Sequence, residues 1–164
     1  MALHDELLAQ AIRLPINNRN QAGLRRAVSA AYYALFHLLV SEAVERLSTD
    51  QSPALRALMR RAFGHAGMLE ICRQVSAGGL SKELRPIFTT LIEDDLVAVA
   101  KKFVGLQEAR LTADYDLEKD LEMNTAKLAV ISADQAFRHW TNIKHTPNAT
   151  VFLTALLLGR HWKR

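Results

Sequence analysis

The stretch LRRAVSAAYYALFH, residues 24–37, decides how this 164-residue chain is read. On a helix turning about 100° per residue, Leu24, Val28, Ala31, Leu35 and Leu39 share one stripe, the apolar face of a core helix. Almost opposite lie Arg26, Ala30, Tyr33 and His37, spaced four, three and four apart. Arg25, Ser29, Tyr32 and Phe36 fill the flank between them. The helix therefore carries a second, semi-polar stripe with a notch at Ala30. A helix covered on most sides is central to its bundle. The second stripe is either a set of amphipathic core residues with satisfied polar tips, or a pocket wall offering a guanidinium, a phenol and an imidazole.

Outward from this stretch, apolar residues recur at three and four, which is helical periodicity, and no strand-like alternation or internal repeat is present. The spacing predicts helices near 2–14, 18–47, 53–63, 65–77, 84–111, 118–145 and 148–161. Pro15, Pro53, Pro86 and Pro147 fall at breaks between these segments, where a first helical turn tolerates proline. Asn18 with Gln21 resembles a capping box, Thr49-Asp50-Gln51-Ser52 reads as a loop, and Gly78-Gly79 ends a segment. The expected fold is all-α: an up-and-down antiparallel helical bundle over residues 1–146, with a C-terminal apolar helix and basic tail over 147–164. The segment ATVFLTALLLG (149–159) is apolar on all sides, so it must be buried in its own bundle or in a dimer; RHWKR follows it.

In the 84–111 segment, Phe88, Ile92, Leu96, Val99, Phe103 and Leu106 keep one face, and the next residue on that face is Arg110. A charge aimed at a bundle interior is expensive unless an anion meets it. Asp114 or Asp116 meets it internally, or a phosphate does so from outside. The predicted core is Leu35, Leu39, Ile92, Val99, Phe103, Val130 and Phe137. The predicted cleft gathers Arg26, Tyr33, His37, Arg110, Asp114 and Tyr115. Within it Arg110 holds an anion, Asp114 orients it and a tyrosine stacks. His37 is the one member titrating near neutrality.

Composition narrows the chemistry. The net charge of +4 is a mild bias toward anionic partners. Cys72 is the sole cysteine, which rules out an intrachain disulfide and fits a reducing cytoplasm. The N-terminus MALHDELLAQ lacks a basic region followed by an apolar run, so no secretory signal is expected. The longest apolar run falls short of the roughly 20 residues that cross a bilayer, so no membrane partner is expected. Six histidines and one cysteine show no zinc spacing. Glu93-Asp94-Asp95 lacks the repeated Glu-x-x-His of a di-metal bundle. There is no phosphate-binding glycine loop and no Gly-x-Ser-x-Gly elbow. No metal or cofactor is expected.

Three segments, LRRAVSAAYYALFH (24–37), FGHAGM (63–68) and FVGLQEARLTADYD (103–116), resemble the HEPN superfamily, closest to the small bacterial and archaeal branch found beside nucleotidyltransferases. The resemblance runs from about residue 3 to about 140. It implies an up-and-down helical bundle, a homodimer, and association with nucleotide or RNA, in toxin–antitoxin or defence settings with a nucleotidyltransferase partner. Active members cut RNA without metal, using an Arg, a gap of four to six residues, then a His. Here Arg110 is followed after a gap of four by Tyr115, then Asp116 and Leu117. A metal-independent cut needs a group that moves a 2′-hydroxyl proton near neutral pH, and tyrosine titrates near pKa 10. The expectation is binding without efficient cleavage. His37, Arg110 and Tyr115 are the catalytic candidates if chemistry occurs; Arg26, Tyr33 and Asp114 are the nucleotide- or RNA-binding candidates. Arg60 with His65 and Arg138 with His145 also match the spacing, the second pair lying off its helix's apolar stripe. A metal-independent ribonuclease with a displaced base and a non-catalytic structural bundle stand as alternatives.

Overall fold

A computed structural model describes residues 1–17, 20–48, 52–88 and 91–159. The described residues form an all-α helical bundle of seven helices: α1 (Leu3–Asn17), α2 (Gln21–Leu47), α3 (Pro53–Ala62), α4 (His65–Ala77), α5 (Asp94–Tyr115), α6 (Met123–Ile143) and α7 (Pro147–Leu158). No strand occurs among them. By length and composition α2 is apolar enough to cross a membrane, yet 72% of its most apolar stretch is buried in the fold, as befits a core helix.

The helix ends follow local chemistry, and several differ from the sequence reading. Asn20 caps α2: its Oδ1 accepts from the Gly23 N–H at 2.9 Å. Asn18 lies outside the described residues, as do Thr49, Asp50, Gln51 and the RHWKR tail, and Gln21 is engaged elsewhere. Its side chain donates to the Leu121 carbonyl at 3.0 Å and accepts from the Leu121 N–H at 2.8 Å. Helix α1 continues through Pro15 rather than ending before it. The missing donor leaves the Ala11 carbonyl without its helical N–H, a tolerable loss in a last turn. The largest correction concerns α5, which begins at Asp94 and not near 84. Residues 82–87 form turns around Pro86, which removes a donor and biases Arg85 away from helix. The start is set instead by Glu93, Asp94 and Asp95, three carboxylates suited to a helix N-terminus.

The chain divides into two compact units. The first comprises Met1–Leu38 and Lys102–Arg138. Its core holds the predicted α2 stripe, with Leu24, Val28, Ala31 and Leu35 buried, together with Phe103, Leu106 and Ala113 of α5. From α6 it takes Ala126, Ala129, Ala133 and Ala136, small side chains that let helices approach closely. Val130 and Phe137 were expected in that face and are only half-buried: the alanine stripe, not the bulky one, faces inward.

The second unit comprises Leu39–Lys101 and His139–Arg164. Leu39 and Val99 are buried in it as predicted, while Ile92, which precedes α5, is half-buried. Helix α4 ends on Gly78 at φ 67°, a left-handed cap open to glycine, whose N–H reaches the Gln74 and Val75 carbonyls. Helix α7 packs on α4. It starts at Thr146, whose hydroxyl accepts from the Ala149 N–H at 3.2 Å, with Pro147 at the first helical position. Just past its end, a Cβ on Gly159 would stand 2.9 Å from the Gly67 carbonyl oxygen, so only glycine permits that approach. Phe152, Leu153, Ala155 and Leu156 are buried. The all-round apolar segment is thus core of its own chain.

Candidate functional site

The first unit brings together residues from α2 and α5 around Arg110. Phe103 is fully buried and carries Tyr32, ring centroids 5.5 Å apart. Tyr32 in turn meets Tyr33 edge-on at 5.2 Å. The Arg110 guanidinium lies over this floor, its carbon 5.5 Å from the Tyr32 centroid, 5.3 Å from Tyr33 and 5.9 Å from Tyr115. Three rings around one guanidinium are a cation–π cage that stabilises the charge. The side chain is 11% exposed. Burial opposes its charge, but the bond to Asp114 and the facing Tyr33 and Tyr115 hold its pKa above the ordinary value.

Arg110 Nε donates to Asp114 Oδ2 at 2.8 Å, one helical turn away. The other carboxylate oxygen accepts from the Ser29 hydroxyl of α2. Asp114 therefore fixes the plane of the guanidinium and is itself fixed. Among the described residues, the two outer nitrogens of Arg110 have no hydrogen-bond acceptor. They form the donor edge of the fork, the edge that accepts a carboxylate or phosphate bidentately.

Beside this cluster α2 anchors the end of α5. Arg25 Nη1 donates to the Ala113 carbonyl at 2.8 Å and the Asp116 carbonyl at 2.9 Å, and Nη2 donates to the Lys119 carbonyl at 2.6 Å. A cation here satisfies orphan helix-end carbonyls and opposes the negative end of the dipole. With the Gln21–Leu121 pair, it holds residues 113–121 in place.

Of the six predicted cleft residues, four meet: Arg110, Asp114, Tyr33 and Tyr115. Arg26 is exposed and takes no part; its neighbour Arg25 reaches α5 instead. The notch expected at Ala30 is filled, the residue being buried. His37 is set one ring away: it stacks on Tyr33, centroids 6.2 Å apart at 27°, and meets Phe36 edge-on. Burial, and then His4, push its pKa below the ordinary value. Sequence reasoning missed Ser29, Tyr32 and Arg25. The signal was present, since all three lie on the flank adjoining Tyr33 at helical spacing.

The other Arg–His pairs give no comparable arrangement. Arg138 is 78% exposed and tied to Asp134 at 2.9 Å, and His145 is exposed. Arg60 is exposed. In the second unit, His139 Nδ1 meets Asp95 Oδ1 at 2.6 Å and Asn142 donates to Asp95 Oδ2 at 3.0 Å. Cys72 is fully buried, which pushes its thiol pKa up. Among the described residues no three His, Cys, Asp or Glu side chains converge as a metal site would need. In comparisons with known proteins, no family model, curated protein or solved structure matched the chain.

Proposed function

We propose that the Arg110 cluster binds a nucleotide or single-stranded RNA through one phosphate and one stacked base. The observation that carries the reading is the unspent donor edge of Arg110, held in plane by Asp114 and Ser29 and backed by Tyr32 and Tyr33. A guanidinium so fixed meets a phosphate with little ordering cost, because its rotamer is already set. Tyr115 is 70% exposed, a ring on which a base can stack. The resemblance to HEPN domains supports the same ligand class, and with it a nucleotidyltransferase partner in a toxin–antitoxin or defence setting.

Cleavage is not part of this reading. Tyr115 stands where the resemblance expects a histidine, the side chain whose ordinary pKa suits proton transfer near neutrality. A second reading, a metal-independent ribonuclease using His37, draws on one observation: its lowered pKa keeps the imidazole neutral and able to accept a proton at pH 7. Its ring touches Tyr33, so such a base would act across that phenol. A third, that Arg110 and Asp114 only tie the bundle together, leaves the outer nitrogens without purpose.

The test is titration of a fluorescent single-stranded RNA and of free nucleotides into wild type and Arg110→Ala, with chelator present, alongside a cleavage assay. The expected result is salt-dependent binding without turnover, lost in a still-folded Arg110→Ala protein. Unchanged binding in that variant removes the proposal. Cleavage abolished by His37→Ala replaces it with the ribonuclease.

A further inference from the structure

We infer that the outer groove between α5 and α6, within the first unit, seats a basic amphipathic helix of another protein. The inference stands apart from the nucleotide reading and uses none of the residues of the Arg110 cluster. Gly105, Glu108, Ala109 and Thr112 recur at three and four along α5, about 180° around the helix from Arg110 and Asp114. From α6, Thr125, Leu128, Ala129 and Ser132 line the same groove. Two half-open cavities lie along it, of about 540 Å³ and about 270 Å³, and they share Gly105, Ala109 and Thr125. One turn beyond Gly105 and Ser132, the Lys102 ammonium donates to the Gln135 side-chain oxygen at 2.6 Å and ties the two helices together.

Gly105 is the residue that points outside the chain. It lies inside α5, where glycine weakens a helix relative to alanine. Among the described residues, nothing stands within 4 Å of where its Cβ would be. Gly159 is the contrast, since there the chain's own backbone takes the space. At Gly105 the chain accepts a weaker helix and keeps a gap that it does not fill. Gly105 and Ala109, one turn apart, are the small pair that lets a second helix come close. Charge then selects the neighbour. The wider cavity is lined by the carboxylates of Glu108, Asp120 and Glu122 against the single ammonium of Lys119. Asp120 and Glu122 suit the start of α6, but Glu108 is mid-helix, where the dipole gives an anion no such reason. At the narrower end Leu128 is 58% exposed and offers an apolar wall. A helix with a leucine for the small-residue floor and an arginine one turn away for the carboxylates is complementary to both ends. The groove spans about 10 Å from Gly105 to Thr112, two turns of such a helix.

The probe is a stapled, alanine-rich helical peptide with leucine and arginine one turn apart, titrated into the full chain and followed by amide NMR shifts. The control is the same peptide with glutamate in place of arginine. The arginine peptide is expected to shift Gly105, Ala109 and Leu128 saturably, more weakly as salt rises, and the glutamate peptide to shift none of them. Gly105→Ala should raise the denaturant midpoint, since alanine is the better helix former, yet weaken the peptide about tenfold by filling the gap. Glu108→Gln with Glu122→Gln should weaken it about fivefold and flatten the salt dependence. Gly105→Ala should leave RNA affinity unchanged, so the failure of this inference and the failure of the nucleotide reading are told apart. No saturable shift at about 1 mM arginine peptide overturns the inference. Binding indifferent to both sets of substitutions overturns it as well. If the groove amides instead shift on dilution of the protein alone, the occupant is a second copy of the chain and the inference is likewise wrong.

Discussion

Helix α5 carries a buttressed carboxylate near each end, and the two are used differently. Near its start, Asp95 receives His139 on one oxygen and Asn142 on the other. Near its end, Asp114 receives Arg110 on one oxygen and Ser29 on the other. Asp95 agrees with the dipole, an anion in the first turn, whereas Asp114 lies in the last turn against it and is offset by Arg110. At the first, the described polar bonds converge on the carboxylate and no aromatic cage surrounds them. At the second, the arginine is shielded by three rings and keeps a donor edge unspent. The two differ not in charge but in what remains after internal pairing: Asp95 and its partners make a joint, and Arg110 keeps two donor nitrogens, the feature on which the proposed binding rests.

Four changes test that distinction, the largest effect first. Phe103→Ala removes the fully buried ring beneath Tyr32 and should cost about 3–5 kcal/mol in denaturant unfolding. A cost well below that would mean the cage has no firm floor. Arg110→Ala should lower RNA affinity about 100-fold, roughly 2.8 kcal/mol, whereas His139→Ala should leave affinity untouched and cost about 0–1 kcal/mol of stability, the usual value of a part-exposed pair. Equal effects on binding would erase the contrast. Tyr115→Ala should cost about 1 kcal/mol of RNA affinity, the low end for a stacked base, since the ring is largely exposed; the same loss for mononucleoside phosphates would show that one base suffices.

The smallest effect is in pH. His37 has a folded pKa below its ordinary 6.5, so folding resists its protonation. The stability it contributes is complete above pH 6.5 and declines as pH falls below it, because the unfolded chain takes the proton more readily. Asp95 also has a lowered pKa, from bonds to His139 and then Asn142, but as a carboxylate it contributes fully above its ordinary 3.8 and fades only as pH falls through the folded value. Denaturant midpoints between pH 7.5 and 5 should thus slope in wild type and flatten in His37→Gln. An unchanged slope would assign that window to another group.

The sequence made the inward arginine legible because Arg110 continued a stripe of Phe103 and Leu106, and a charge in that register demands an explanation. Its partner Asp114 was legible for the same reason, at one turn's distance. Arg26 was taken where Arg25 belongs because a wheel fixes residues relative to one another, not to the neighbouring helix. The two arginines differ by about 100°, and only the position of α5 decides which one reaches its carbonyls. The false start of α5 has a similar origin. Leu84 and Phe88 are buried, as a helix pattern demands, but they are buried from turns. Periodicity reports burial, and here the proline and the carboxylates reported the backbone. In α6, Val130 and Phe137 were expected in the core because bulk was read as depth.

The Arg25 contacts have a consequence for the chain as it is made. Arg25 and its first partner, Ala113, are 88 residues apart in sequence. At a synthesis rate of about 5–20 residues per second, roughly 4–18 s separate their emergence. Through that interval Tyr32, Tyr33 and Phe36 exist on an apolar segment whose covering helix has not yet been translated. The nascent chain therefore carries these rings for seconds before the helix that later covers them is made.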